Sequence, residues 1–376
     1  VNFDFDDDQM LLRETVRRFL EERQSLEWVR EVLEAPQTFH AGLWQQAAEL
    51  GVAAMLVPDE FGGGSITSQP LVDLLVYAEE FGRLLNPGPL LVTNVVADAL
   101  ARSGDAGLAG DWLPRLVSGD IVATWALSED GTPDGISMQV TREAGDEIRI
   151  TGSAHYVHEL AAADLVLVTA LLDGEPVLVA VPKNTEGVTV TAHQGIDLTR
   201  RFGSLHLKDV RLSEMHLLDG GHTAFLRAVE VATVIKCAEA TGAAAALFER
   251  TVEYLRDRVQ FGRTIGSYQV IKHRLADLQI EVEAMRAATY YAALALSDDL
   301  EDVHEAVATA GEYVPSAFAH LTGDSLQLHG GIGFTWEHDV HLFVRRSKSD
   351  QPLYGDPSWH RARLLSLIEA TQTRSA

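Results

Sequence analysis

Apolar residues recur at helical spacing through the first third of the chain. Met10, Leu11, Val16, Phe19 and Leu20 form one stripe, with the acidic run Asp6–Asp8 placed to cap it. Trp44, Ala47, Leu50 and Val52 form a second, stopped near Gly51. Pro58 and Phe61-Gly62-Gly63-Gly64-Ser65 mark a loop. Leu71 to Leu85 predicts a strong helix ended by Asn86-Pro87-Gly88-Pro89. Thr93–Arg102 and Ala109–Val117 complete a helical region over residues 1–118.

Near residue 120 the period shortens to that of strands. Ile121–Leu127 is rich in strand formers. Ile136–Val157 alternates around a turn at Ala144-Gly145-Asp146. Leu165–Leu171 and Val177–Val181 flank the hairpin signal Asp173-Gly174-Glu175-Pro176, and Val188–Thr191 and Leu205–Leu212 follow. Short, closely spaced strands over residues 119–221 predict an antiparallel sandwich or barrel rather than a parallel sheet. Helical spacing returns over residues 222–376. Val229–Arg258, Tyr268–Leu296 and Val303–Leu328 are long helices, the last with Pro315 inside it as a candidate kink, and Pro357–Glu369 is a terminal one. Four long helices with short connections predict a four-helix bundle. Its first helix is rich in Ala and Gly over Ala238–Ala246, which suits close helix approach. The fold class is therefore α+β and multidomain.

Composition narrows the partners. The 376 residues carry 30 Lys and Arg against 55 Asp and Glu, a net charge of −25. Such acidity disfavours nucleic acid and anionic membranes, and an anionic ligand then needs a local basic patch. The single cysteine, Cys237, excludes an intrachain disulfide, fits a reducing compartment and reads as a buried small hydrophobe. No apolar run reaches the roughly 18–20 residues of a membrane span, so no insertion is expected. The acidic stretch Val1–Asp8 has no basic region followed by an apolar one, so no secretory signal is expected and the predicted compartment is the cytoplasm. No His, Cys, Asp and Glu cluster has metal-ligand spacing.

Two segments carry candidate chemistry. Arg258-Val259-Gln260-Phe261-Gly262-Arg263-Thr264-Ile265-Gly266-Ser267-Tyr268-Gln269 reads as a helix end, a glycine turn and a new helix. With Arg256, Arg258, Arg263, Lys272 and Arg274 it is locally basic in an acidic chain. It is a solvated charged face or a pyrophosphate site, since guanidinium groups bond phosphate in pairs. Gln327-Leu328-His329-Gly330-Gly331-Ile332-Gly333-Phe334 puts three glycines at a helix end. That is a plain cap or a place where backbone approaches a ligand. His329 alone reads as a packed or capping histidine.

Together, in a helical region that follows a β region, these segments resemble the acyl-CoA dehydrogenase family over essentially the whole chain. The Phe61–Gly64 loop and the Trp125–Glu129 strand end add to the resemblance. It implies FAD at a subunit interface of a dimer-of-dimers tetramer, homomeric or heteromeric. It also implies an acyl-CoA thioester as substrate and electron-transfer flavoprotein as acceptor. The positions matching Arg258, Gln260, Phe261, Gln327 and Gly331, with Gly330 beside them, are implied to reach the pyrophosphate and adenosine side of a neighbour's FAD.

The subunit's own flavin contacts are less complete. Ser128 keeps the hydroxyl of the family's strand end, but Asp130-Gly131-Thr132-Pro133-Asp134-Gly135 lacks the Gly-Ser-Asp that should follow. Tyr156 keeps an aromatic, whereas the hydroxyl residue two places on is His158. In the family a carboxylate takes the α-proton of the thioester. Here that position falls on Tyr354 or Gly355, and the alternative position used by some members falls on Ala232, followed by Thr233. Asp356 is the nearest carboxylate, as a displaced base or as the N-cap before Pro357, and Glu230 lies on another helix face. The resemblance is to base-lacking subunits of actinobacterial heteromeric acyl-CoA dehydrogenases that act on bulky sterol-derived thioesters. A self-sufficient enzyme with Asp356 as base and a scaffold without chemistry remain open beside it.

Overall fold

A computed structural model describes residues 5–33 and 39–375, so the first four positions of the acidic opening stretch lie outside it. Helix α1 (Asp7–Arg23) starts on a capping box: Asp6 accepts the Gln9 N–H, and the Gln9 amide returns to the Asp6 backbone. Two short helices, α2 (Leu26–Leu33) and α3 (Ala41–Glu49), precede α4 (Pro70–Arg83), α5 (Leu90–Ala101) and α6 (Ala106–Val117). The eight residues of α2 span barely two turns, too few for a periodic signal in the sequence. Arg13 and Arg17 tie α1 to Glu79 and Glu80 of α4.

The middle region is one seven-stranded sheet: β1 (Ala123–Ala126), β2 (Gln139–Glu143), β3 (Glu147–His158), β4 (Leu165–Leu172), β5 (Glu175–Pro182), β6 (Val188–Ala192) and β7 (Phe202–Ser213). Strand alternation feeds two cores. On β4, Leu165 and Leu167 join the helical core, while Val166 and Val168 join a second core made almost wholly of strand residues. A sheet that encloses its own core must curl. The sheet is mainly antiparallel, as expected, but β1 lies parallel to β4, with Ala123 opposite Leu165 and Ala126 opposite Val168. The chain leaves β1 and makes the β2–β3 hairpin before it returns to β4, so these neighbours point the same way.

Helices α7 (Gly221–Asp257), α8 (Gln269–Ser297) and α9 (Val303–His329) form the second helical region. A short α10 (Val340–Asp350) and a terminal α11 (Pro357–Ser375) pack on it. Helix α9 continues unbroken through Pro315. By length and composition alone α7 is long and apolar enough to cross a membrane, but 94% of that window is buried inside the protein. Its composition serves the core. Close approach in the Ala/Gly-rich stretch is with α4: a Cβ on Gly242 would come 1.9 Å from the Glu79 carbonyl, and one on Gly82 2.0 Å from that of Glu239.

Candidate cofactor and active site

Helix α7 ends at Asp257, and Arg258 caps it through its N–H to the Tyr254 carbonyl. A two-residue turn follows between strands β8 (Val259–Gln260) and β9 (Arg263–Thr264). Both turn residues, Phe261 (φ 54°) and Gly262 (φ 81°), take left-handed backbone, the geometry that matches hairpin twist. The turn holds the Phe261 ring out, 92% exposed. Arg263 lies over the Tyr268 ring at 3.8 Å, whereas Arg258, Gln260 and Gln327 are exposed.

The second segment is brought to the same end of the bundle by one stack. The Tyr254 ring lies on His329 at 4.5 Å, and the Tyr254 hydroxyl donates to the His329 carbonyl. His329 is buried, its Nδ1 2.8 Å from the Ser325 carbonyl oxygen. It is a packing histidine that ties α7 to α9. A groove of about 540 Å³ opens beside it, lined by Tyr254, Arg258, His329 and His338 among others. Gly330 turns the chain at φ 65°, and a Cβ on Gly331 would meet nothing within 4 Å. The chain's own packing therefore does not explain Gly331, and open backbone at the same end of the bundle as the exposed Arg258 fits a phosphate-bearing cofactor.

Of the own-side flavin positions, Ser128 and His158 look inward and Tyr156 outward. The Ser128 hydroxyl is buried and donates to the Thr132 carbonyl, while Asp130 accepts from the Thr132 N–H and hydroxyl. Tyr156 sits at a bulge of β3 with φ 56° and is 57% exposed. His158 is buried with neither ring nitrogen hydrogen-bonded, Nε2 lies 3.8 Å from the Glu159 carboxylate, and burial holds it well below its usual pKa. These residues fit a bound flavin ring less well than the exposed segment fits the adenosine side.

At the expected base position the Tyr354 ring is buried and stacked on Trp125, 5.6 Å apart at 5°. Burial pushes its phenol well above the ordinary value. Asp356 is exposed, and its Oδ1 accepts the Trp359 N–H at 2.7 Å as a helix cap. Glu230 is buried between His304 (2.6 Å) and Arg363 (2.5 Å). Sequence reasoning missed a charged cluster behind Tyr354. Arg200 bonds Asp350 at 2.6 Å and Glu239 at 2.5 Å, and Lys236 reaches the carbonyls of Leu353 and Gly355. Burial works against the Arg200 charge, but the two carboxylates hold it well above its usual pKa. The available signal was Lys236 and Glu239, charged residues inside an apolar helical run.

Residues 6–120 match the family description "Acyl-CoA dehydrogenase, N-terminal domain" and residues 219–365 its C-terminal counterpart. Among curated relatives, acyl-CoA dehydrogenase IpdE2 of Mycolicibacterium smegmatis is 31% identical, covering 93% of this chain and 96% of its own. Among solved structures, the ChsE4-ChsE5 complex from Mycobacterium tuberculosis is similar at a TM-score of 0.89 and 27% identity, covering 98% of this chain and 99% of that one. A variant of the Tcur3481-Tcur3483 steroid ACAD follows at 0.88 and 28%, with the same coverage. The chain belongs to the acyl-CoA dehydrogenase family of FAD-dependent oxidoreductases.

Proposed function

We propose that this chain is one subunit of a heteromeric acyl-CoA dehydrogenase acting on a bulky, sterol-derived acyl-CoA thioester. A related partner supplies the base, the flavin cradle and the acyl pocket. The observation that carries the reading is a contrast within one chain. The base position holds a buried Tyr354, while the segment for a neighbour's cofactor is exposed and open. A phenol with its pKa pushed up cannot take an α-proton near neutral pH. Similarity to the paired ChsE4-ChsE5 and Tcur3481-Tcur3483 proteins supports the same assembly.

Bound FAD would supply the acceptor for the hydride leaving the β-carbon, and the partner's base would take the α-proton. This chain's part is to hold it. Arg258 offers a guanidinium to the pyrophosphate, Gln260 and Gln327 offer amides, Gly330 and Gly331 leave backbone accessible, and Phe261 covers an apolar face. Electron-transfer flavoprotein is the expected acceptor. The test is Arg258→Ala in the assembly purified with its partner. Losing a charge-assisted hydrogen bond should weaken FAD binding by about 1.5–3 kcal/mol. An unchanged FAD titration would remove the cofactor role of this segment.

A further inference from the structure

We propose that Lys236 is a positioning residue that pins the Leu353-Tyr354-Gly355 loop, so that the Tyr354 ring plugs this chain's own acyl cleft. The inference rests on the reading that a partner supplies base and pocket. Lys236 lies in the fully buried stretch of α7 at 0% exposure. Its Nζ donates to the Leu353 carbonyl at 2.6 Å and the Gly355 carbonyl at 3.3 Å, the two carbonyls on either side of Tyr354. A helix core needs no amine, and burying one is costly unless its hydrogen bonds are made. The amine's hydrogen bonds go to this loop.

The loop needs such a clasp. Tyr354 (φ 56°) and Gly355 (φ 97°) are both left-handed, and a bulky side chain keeps that backbone only where its surroundings over-determine it. The two Lys236 bonds fix the carbonyls before and after the ring, and the Trp125 indole receives it face to face. Around it, Arg200 closes on Asp350 and Glu239 from the loop before β7. Trp125, Lys236, Arg200, Glu239, Asp350 and Tyr354 are each at most 6% exposed. The volume beside the β1 strand end is therefore filled by the chain's own side chains.

Two measurements on the purified assembly test this. Hydrogen exchange on Lys236→Met, which keeps the stem and loses the donors, should rise at least about tenfold across 353–356 and stay unchanged elsewhere in the bundle. Equilibrium dialysis with butyryl-CoA should count one thioester per copy of the partner and none for this chain, which purified alone should bind none. The count should rise by one per copy of the chain in Lys236→Met/Tyr354→Ala, but not in Phe318→Ala, which opens a cavity elsewhere in α9. Unchanged exchange at 353–356 overturns the pin. Butyryl-CoA bound by the unaltered chain overturns the plug and needs no variant to fold. If that chain binds without turning over alone, the plug fails and the heteromeric reading stands; turnover by the chain alone removes both.

Discussion

Glu159 follows the Tyr156–His158 strand end at 2% exposure, and burial, only partly offset by Arg201, Arg200 and Arg346, pushes its carboxyl up to about 7. A carboxyl raised above its ordinary 4.5 binds its proton more tightly in the fold than in the unfolded chain. Between those values the folded chain holds the extra proton, so stability falls as pH rises through the window and stays lower above it. Glu159→Gln should therefore be more stable than wild type at pH 8, by about 1–3 kcal/mol at 1.36 kcal/mol per pKa unit. The gain should fade towards pH 5. Urea unfolding at both pH values checks this, and a gain independent of pH would refute it. His158 acts in the opposite sense, because its depressed pKa gives stability that is lost as pH falls below about 6.5. Asp356 tests the chemistry at the same scale. As a helix cap it tolerates Asn, so Asp356→Asn should leave the assembly's turnover nearly intact. A loss above roughly a hundredfold, with flavin content and melting temperature retained, would make it the base of a self-sufficient enzyme.

Helices α4 and α7 cross backbone to backbone. Gly242 faces the Glu79 carbonyl and Gly82 faces that of Glu239. A methyl at either site overlaps main chain, which cannot rotate away as a side chain could. Gly242→Ala should cost about 1–3 kcal/mol or more, as overpacking in a dense core does. It should also loosen α4, seen as faster hydrogen exchange there. A stability change under about 0.5 kcal/mol, the scale of an ordinary surface substitution, would mean the helices separate freely. Element by element, the sequence was legible where the signal was local. The long helices, the hairpin at Asp173–Pro176 and the Arg258–Gln269 segment are each specified by residues within a few turns of one another. It was silent where partners are distant. Lys236 meets the Leu353 carbonyl 117 positions away, and β1 finds β4 across an intervening hairpin. Nor could spacing tell that Tyr354 turns inward while Phe261 turns out, since both sit in left-handed turns and only tertiary packing decides which ring is covered.

The molecule as a whole exposes what a monomer would hide. Phe261, Phe334 and Val270 are 92%, 72% and 71% exposed, all in the β8–β9 turn, the turn after α9 and the start of α8. Exposed apolar rings on left-handed or glycine-rich backbone fit the contact surface that the proposed assembly requires. A net charge of −25 works against pairing identical copies. The basic segment Arg256–Arg274 lies in the same region and offers local relief. The chain should therefore not persist as a 41.0 kDa species once the proposed partner is present. Light scattering of the co-purified proteins should give a tetramer-sized particle. Flavin should co-elute with that particle, and the separated chain should hold little. If the chain alone associates, association should strengthen with salt, because self-repulsion is screened within about 10 Å at 0.1 M ionic strength. A monodisperse 41.0 kDa particle at micromolar concentration with the partner present would leave Arg258 and Phe261 with no neighbour to serve, and the subunit reading would fall with it.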